Sequence, residues 1–282
     1  MNKNKPKWIK VKLPIGKNYV KLKKLISLQH LNTVCQSASC PNIGECWSRG
    51  VASFMILGNI CTRSCKFCGI KTGKPGKLDF SEPEKVANSI KILKIKHAVL
   101  TSVNRDDLKD MGSFIWVKTI KTIRKKNPNI TLETLIPDFQ GKEKIIDKII
   151  HVNPEVISHN IETVYRLTKK IRVQAKYERS LEVLKYIKVK NKNIRTKTGI
   201  MLGLGEYDKE VIETMKDIKK AKVDILTIGQ YLQPSLNHYP VQNFIIPEKF
   251  EKLKKIGIEM GFKHVESGPL VRSSYHAEKH IL

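Results

Sequence analysis

The sequence has no long apolar run, and its longest compact apolar stretch, residues 54–57, is only as long as a strand. A helix that crosses a membrane needs roughly 18 or more consecutive apolar residues. The first 24 residues are basic, but they lack the apolar core and cleavage site of a secretory signal and the arginine- and serine-rich pattern of a transit peptide. We therefore expect no membrane association and a cytoplasmic location.

Acidic residues are scarce, with 26 Asp and Glu against 53 Lys and Arg among 282 residues and a formal net charge of +27. Such an excess suggests nucleic acid, a membrane surface or an acidic partner. However, 44 of the basic residues are lysines spread along the chain, so a solvated lysine-rich surface and a basic binding face both remain open. The nine arginines are more informative because the planar guanidinium makes paired hydrogen bonds. Those of most interest are Arg63, Arg105, Arg179 and Arg272.

Cysteine is absent after residue 68, and all six cysteines lie within 34 consecutive positions. A disulfide scaffold is disfavoured in a large chain that lacks a secretion signal. Structural zinc sites normally close with four protein ligands, whereas each triplet here supplies three. Three thiolates suit a four-iron cluster better because they leave one iron open. The triplets are Cys35, Cys40 and Cys46, spaced Cys-x4-Cys-x5-Cys, and Cys61, Cys65 and Cys68, spaced Cys-x3-Cys-x2-Cys.

From residue 51 onward, short β-branched runs alternate with amphipathic segments, and 40% of all residues are hydrophobic, enough for a folded core. The alternation is typical of consecutive βα units around a parallel sheet. Six units are visible, so a partial (β/α)6 barrel and a doubly wound sheet both remain possible, with chemistry at the C-terminal ends of the strands. The predicted strands are 53–57, 97–102, 130–136, 155–159, 198–202 and 224–229. The predicted helices are 83–95, 113–125, 142–150, 180–189, 208–220 and 247–260.

The second cysteine triplet directly follows the first predicted strand and has an aromatic residue, Phe67, before its last cysteine. In this context it resembles the signature of the radical S-adenosylmethionine superfamily. The resemblance implies that the open iron chelates the amino and carboxylate groups of S-adenosylmethionine. One electron from the cluster then cleaves the sulfonium to give a 5'-deoxyadenosyl radical.

The first triplet, together with Arg272-Ser273-Ser274-Tyr275, resembles the lipoyl synthase family, as do residues 54–58, 101–107, 158–164, 197–206 and 227–234. With the βα alternation, the resemblance implies an α/β fold, a partial (β/α)6 TIM-like barrel over 51–265. Residues 1–50 and 266–282 fall outside the βα pattern, and we expect them to be an N-terminal cluster-binding extension and a C-terminal tail. It implies sulfur insertion at C6 and C8 of a protein-bound octanoyl-lysine. Unactivated C–H bonds require a radical from a cofactor.

The resemblance also implies two 4Fe-4S clusters. Cys61, Cys65 and Cys68 would hold the one that binds S-adenosylmethionine. Cys35, Cys40 and Cys46 would hold a second, sulfur-donating cluster with a serine as its fourth ligand, for which we choose Ser274 over Ser273. An alkoxide is a harder ligand than a thiolate, which should ease release of that iron.

Several other positions are candidate cofactor contacts. Arg63 and Arg105 would contact the carboxylate of S-adenosylmethionine or brace a cluster loop, and Arg272 would position the serine. The histidines and the Asp106-Asp107 pair are interpreted as surface, capping or hydrogen-bonding groups. Gly203 and Gly205 would allow close backbone approach. By resemblance, the residues near the methionine, ribose and adenine groups are Thr101, Asn160, Glu162 and Glu206.

The expected partners are octanoylated lipoyl carrier domains, namely 2-oxoacid dehydrogenase E2 subunits and the glycine cleavage H protein, and a small electron-transfer protein. Such carrier domains are often acidic, so a basic rim would speed the encounter. A nucleic-acid partner is not expected. Two alternatives remain: a tRNA-modifying radical enzyme such as a methylthiotransferase, which should carry a further RNA-binding domain, and a basic zinc or iron-sulfur module that binds nucleic acid.

Overall fold

A computed structural model describes residues 5–11, 16–49 and 51–281. Short 3-10 turns occur at Lys7–Ile9, Phe139–Gly141 and Ala277–Ile281. The strands are β1 Asn32–Thr33, β2 Ser53–Ile56, β3 Ile60–Cys61, β4 Lys71–Thr72, β5 His97–Ser102, β6 Thr131–Leu135, β7 Val156–Ser158, β8 Arg195–Leu202, β9 Ile225–Gln230 and β10 His264–Gly268. The helices are α1 Lys17–Leu28, α2 Val34–Ser37, α3 Ile43–Ser48, α4 Glu82–Leu93, α5 Ser113–Lys126, α6 Glu143–His151, α7 Tyr165–Ile171, α8 Tyr177–Lys190, α9 Asp208–Lys220 and α10 Pro247–Glu259.

The main sheet has eight strands in the order β1-β2-β5-β6-β7-β8-β9-β10. Only the first pair, β1 and β2, is antiparallel, and the other six pairs are parallel. All six predicted βα units are present. A seventh parallel strand, β10, follows the sixth unit, and the expected start of the tail at residue 266 falls inside it.

Several strands are buried along their whole length because both faces of the sheet are covered. Every residue of β2 and β9 is buried. The helices outside the sheet each bury one stripe, as α6 does with Ile145, Ile146 and Ile149. β8 starts at Arg195, three residues before its predicted start. The prediction began too late because the first positions of the strand carry polar side chains, notably Lys197, which are nevertheless buried.

The N-terminal extension contains three helices that the periodicity did not predict. α1 packs through Leu22 and Ile26, and the Tyr19 ring lies tilted with its centroid 5.3 Å from that of Trp47 of α3. These residues join the core of the first half of the sheet. The extension is therefore built onto the barrel by apolar burial, the dominant favourable term in folding.

The C-terminal tail returns from β10 to the N-terminal extension. Asn42 Nδ2 donates to the Leu270 carbonyl at 2.7 Å, and the Tyr275 hydroxyl donates to Glu45 at 3.2 Å. The last turn then reaches the sheet, where Arg195 Nη1 donates to the His280 carbonyl at 2.5 Å. The tail thus contacts both the N-terminal extension and the main sheet. Among the described residues, no helix is long and apolar enough to cross a membrane.

Candidate active site

The second cysteine triplet lines a cavity at the C-terminal ends of the first barrel strands. Cys61, Cys65 and Cys68 share this cavity with Thr101, Asn160 and Glu162, among other residues. The small parallel pair of β3 and β4 supports the loop, and the Gly73 amide donates to the Cys61 carbonyl at 3.0 Å. The first strand and its loop therefore deliver all three thiols to one side of the cavity.

The environment of these thiols suits a metal cluster. All six cysteines of the chain are free. Burial raises the pKa of Cys65 to about 11 and that of Cys68 to about 12. Cys61 Sγ accepts hydrogen bonds from the backbone amides of Arg63 and Asn104 at 3.4 and 3.3 Å. These raised pKa values favour the protonated thiols when no metal is bound. A bound metal cation would favour the thiolates instead, because its positive charge stabilises them.

The two arginines expected near S-adenosylmethionine are engaged by carboxylates. Arg63 donates to both oxygens of Asp106, at 2.7 and 2.8 Å, and to Asp138 at 2.7 Å. Burial opposes ionisation of Asp138, yet the hydrogen bond from Arg63 holds the pKa of that carboxyl below its usual range. Arg105 forms a similar pair with Asp107. The contacts of Arg63 correspond to bracing the cluster loop, whereas Arg105 holds Asp107 and the Gly76 carbonyl.

The wall of the cavity opposite the loop carries Asn160 and Glu162. Asn160 Nδ2 donates to Glu162 Oε1 at 3.0 Å, while Asn160 Oδ1 is buried without a hydrogen-bond partner among the described residues. Burial raises the pKa of Glu162, although Arg172 opposes this. The Thr101 hydroxyl donates a hydrogen bond to the Leu135 carbonyl at 3.1 Å. The orphaned amide oxygen is a free acceptor for a ligand group.

Arg172 was missed by the sequence analysis. Its Nη1 donates to the Ile161 carbonyl and the Ser180 hydroxyl, at 3.0 and 3.1 Å. That hydroxyl also meets His159 Nε2 at 3.0 Å, while His159 Nδ1 lies 2.9 Å from the Ile136 carbonyl. Burial lowers the pKa of His159 to about 4, so the ring is neutral and acts as a hydrogen-bonding group, as interpreted. An arginine amid so many lysines was the available signal for Arg172.

Glu206 is not among the residues that line this cavity. Its carboxylate accepts from the backbone amides of Gly203 and Leu204, at 2.6 and 2.8 Å. Gly203 has a positive φ of 96°, and a Cβ there would lie 2.2 Å from Gln230 Nε2. The backbone at Gly203 therefore packs against Gln230 of β9 and the Asn243 carbonyl, and the expected approach to S-adenosylmethionine stays a prediction.

The first cysteine triplet lines a separate, smaller cavity. Cys35 lies in α2, Cys46 in α3 and Cys40 between them. Burial raises the pKa of Cys40 to about 11 and that of Cys46 to about 12. From the far end of the chain, Ser274 and Arg272 line the same cavity. The three thiols and the Ser274 hydroxyl together offer four donors, the number that a four-iron cluster takes. The hydroxyl groups of Ser53 and Tyr275 line the same cavity.

A third, open cleft adjoins both cavities. Cys68, Asn160 and Glu162 of the first cavity line it, as do Arg272 of the second and the neighbouring Ser273. The tail approaches the sheet at Gly229, where a Cβ would lie 2.1 Å from the Val271 carbonyl. Its remaining walls include Ile200, Met201, Tyr231 and Val271.

Family models and known sequences match this chain over nearly its whole length. The model of the radical SAM superfamily matches residues 55–218, and that of the N-terminal domain of lipoyl synthase matches residues 2–40. Lipoyl synthase of Flavobacterium psychrophilum is 67% identical over 278 residues, covering 99% of this chain and 96% of its relative. The chain belongs to the lipoyl synthase family. The mitochondrial lipoyl synthase of Nematostella vectensis is also 67% identical, covering 98% of this chain and 95% of its own length.

Membership of the lipoyl synthase family confirms the predicted activity. The chain is a radical enzyme that inserts sulfur into the octanoyl group of a lipoyl carrier protein, and it uses 4Fe-4S clusters and S-adenosylmethionine. The two alternatives, a tRNA-modifying enzyme and a nucleic-acid-binding module, are set aside. The known relative from an animal mitochondrion means that family membership alone does not specify a compartment.

Solved structures confirm the predicted fold class. Methylornithine synthase is 14% identical with a TM-score of 0.55, covering 89% of this chain and 75% of its own. A maturase of the FeFe hydrogenase is 15% identical with a TM-score of 0.59, covering 81% and 61%. At such low identity these likenesses show the fold alone.

Proposed function

We propose that the two cysteine triplets hold two different clusters with different tasks. Cys61, Cys65 and Cys68 would hold the cluster that binds S-adenosylmethionine. Cys35, Cys40, Cys46 and Ser274 would hold the cluster that is the source of sulfur. The observation that carries this proposal is the pair of separate three-cysteine cavities beside one cleft, with Ser274 of the C-terminal tail lining the cavity of Cys35, Cys40 and Cys46.

When bound, the first cluster supplies the electron that cleaves S-adenosylmethionine, and the second supplies sulfur for C6 and C8 of the octanoyl chain. Asn160 Oδ1 and the Glu162 carboxylate offer acceptors for the amino and hydroxyl groups of S-adenosylmethionine, and Thr101 lines the same wall. Arg172 supplies buried positive charge beside Glu162 and Cys65. Glu206 would act indirectly, by holding the backbone of the loop at Gly203 in place.

The cleft is the proposed path of the octanoyl chain. Its side chains Ile200, Met201 and Tyr231 offer apolar surface between the two cysteine cavities, and such surface favours an alkyl chain by the hydrophobic effect. The division into an extension, 1–50, a barrel, 51–265, and a tail, 266–282, is proposed as functional: the extension carries one triplet, the barrel the other, and the tail carries Ser274.

We propose that the carriers are octanoylated E2 subunits and glycine cleavage H protein, that a small electron-transfer protein is the reductant, and that the enzyme works in the cytoplasm. The excess of basic over acidic residues supports an acidic carrier, because opposite charge speeds association in low salt.

The assignment of activity is tested by anaerobic reconstitution. The full chain with both clusters is incubated with S-adenosylmethionine, a reductant and an octanoylated carrier domain, with E2 and H-protein domains in separate reactions. Mass spectrometry is expected to show an octanoyl group that carries sulfur at C6 and C8. Two well-formed clusters without any thiolated product on either carrier would contradict the proposal.

The choice of Ser274 as a ligand gives a matched pair of variants. Ser274→Ala is expected to lower sulfur insertion by at least the roughly 10- to 100-fold that loss of even an outer partner of a metal ligand costs. It should also lower retention of the second cluster, because the hydroxyl lines the cavity of Cys35, Cys40 and Cys46. Cleavage of S-adenosylmethionine should persist.

Ser273→Ala is the control because Ser273 lines the cleft instead. The measurements are iron and sulfide per chain and the formation of 5'-deoxyadenosine. If Ser273→Ala destabilised the second cluster and Ser274→Ala left it intact, the ligand would be Ser273.

A further inference from the structure

A group of three potential metal ligands lies outside both cysteine cavities. His264 and Glu266 are on β10, and His280 is in the last 3-10 turn. One ligand atom from each can be chosen so that all three lie within 4.8 Å of one another. None of the three lines either cysteine cavity. Two imidazoles and a carboxylate form a donor set that zinc commonly uses.

The strand geometry directs two of the ligands to the same side. His264 and Glu266 are separated by two positions, so they project from the same face of β10. Their burial agrees, because both are half-buried while Val265 and Ser267 between and after them are buried. His264 Nε2 lies 3.3 Å from Glu266 Oε2, about the separation of two ligand atoms on one tetrahedral zinc ion with bonds of roughly 2.0–2.2 Å.

The unpaired ring of His280 independently indicates a ligand at this group of side chains. Only 2% of the residue is exposed, and neither ring nitrogen has a hydrogen-bond partner among the described residues. Its ring centroid lies 4.5 Å from that of His264. A buried imidazole with two unpaired nitrogens is costly. A metal ion would use the lone pair that the protein leaves without a partner.

The surrounding charges are compatible with a cation. Lys197 is buried and is neutralised by Glu133, with Nζ 2.8 and 2.9 Å from the two carboxylate oxygens. The guanidinium of Arg195 is directed to the backbone carbonyl of His280. His276 Nδ1 lies 3.8 Å from Glu266 Oε1 on the other side of that carboxylate. The side chain of His264 is 32% exposed, so an ion can enter from solvent along the imidazole.

We propose that His264, Glu266 and His280 form a zinc-binding site that ties the C-terminal turn to the last strand of the sheet. The turn follows Ser274 by a few residues, so the ion would hold in place the segment that carries the proposed serine ligand. The cation class follows from the ligands: two neutral nitrogens and one carboxylate favour zinc over magnesium or calcium, which prefer oxygen.

The test uses the full chain with both clusters in place, so that the cysteines are occupied. The protein is dialysed anaerobically against micromolar zinc, and zinc per chain is measured together with cluster iron. About one zinc per chain is expected. X-ray absorption at the zinc edge should show only nitrogen and oxygen neighbours at roughly 2.0–2.2 Å.

Two variants make the test specific. His280→Gln and His264→Gln are each expected to weaken zinc binding by about 10- to 100-fold or more. The half-exposed position of His264 keeps the test valid if the buried substitution impairs folding. His151→Gln, at an exposed histidine in α6, should bind zinc as the unmodified chain does.

Three results would overturn the proposal. They are the absence of zinc uptake, a first shell that contains sulfur, and uptake that is unchanged in both the His280 and the His264 variants. A rise in the midpoint of thermal unfolding with zinc, present in the unmodified chain and absent from His264→Gln, would support it.

Discussion

Cys65→Ala is expected to abolish both the cleavage of S-adenosylmethionine and sulfur insertion, whereas Cys40→Ala should abolish only sulfur insertion. Cys65 shares its cavity with the orphaned acceptor of Asn160 and with Glu162, so its cluster would be the one that meets S-adenosylmethionine. Cys40 shares its cavity with Ser274. The loss of the affected activity should exceed about 100-fold.

The two substitutions are closely matched. Each removes one thiol whose pKa is raised by burial to about 11, and each should lower iron from about eight to about four per chain, since each cluster has four irons. Formation of 5'-deoxyadenosine and of thiolated carrier is measured on the same samples. A Cys40→Ala enzyme that keeps about four irons but cannot cleave S-adenosylmethionine would contradict the assignment.

Lys197→Met is expected to destabilise the fold by about 3–5 kcal/mol, because it leaves the Glu133 carboxylate buried without its partner. Both residues are completely buried, and Lys197 Nζ lies 2.8 and 2.9 Å from the two carboxylate oxygens. Burial lowers the pKa of Lys197, and the Glu133 carboxylate opposes this shift because it stabilises the charged ammonium. Chemical denaturation of the unmodified chain and of Lys197→Met under anaerobic conditions measures the difference in their free energies of unfolding.

The control is the double variant Glu133→Gln with Lys197→Met, which removes both charges and keeps an acceptor for the Ser158 hydroxyl, now 2.8 Å from Glu133. It should recover most of the lost stability, since replacing a buried ion pair by neutral groups is often neutral or better. A double variant as unstable as Lys197→Met alone would mean that packing of the lysine stem, not the unpaired charge, is responsible.

Local patterns in the sequence were sufficient for the order of the βα units and for the two cysteine triplets. Side-chain periodicity reports which face of a helix or strand is buried, and the cysteine spacing is a property of a few adjacent positions. The prediction was weaker where a polar residue is buried. The start of β8 was missed because Lys197 is neutralised by Glu133, a partner 64 positions away that no local pattern reveals.

By itself, the sequence determined the family and the radical chemistry, and it predicted which cysteines would bind iron. The tertiary structure alone brings Ser274 to the cavity of Cys35, Cys40 and Cys46 and leaves Ser273 in the cleft. It alone brings Arg172 into the cavity that Glu162 lines, and the ring of His280 to 4.5 Å from that of His264. The physical reason is the same in each case: these residues meet only because the folded sheet and the returning tail bring distant parts of the chain together.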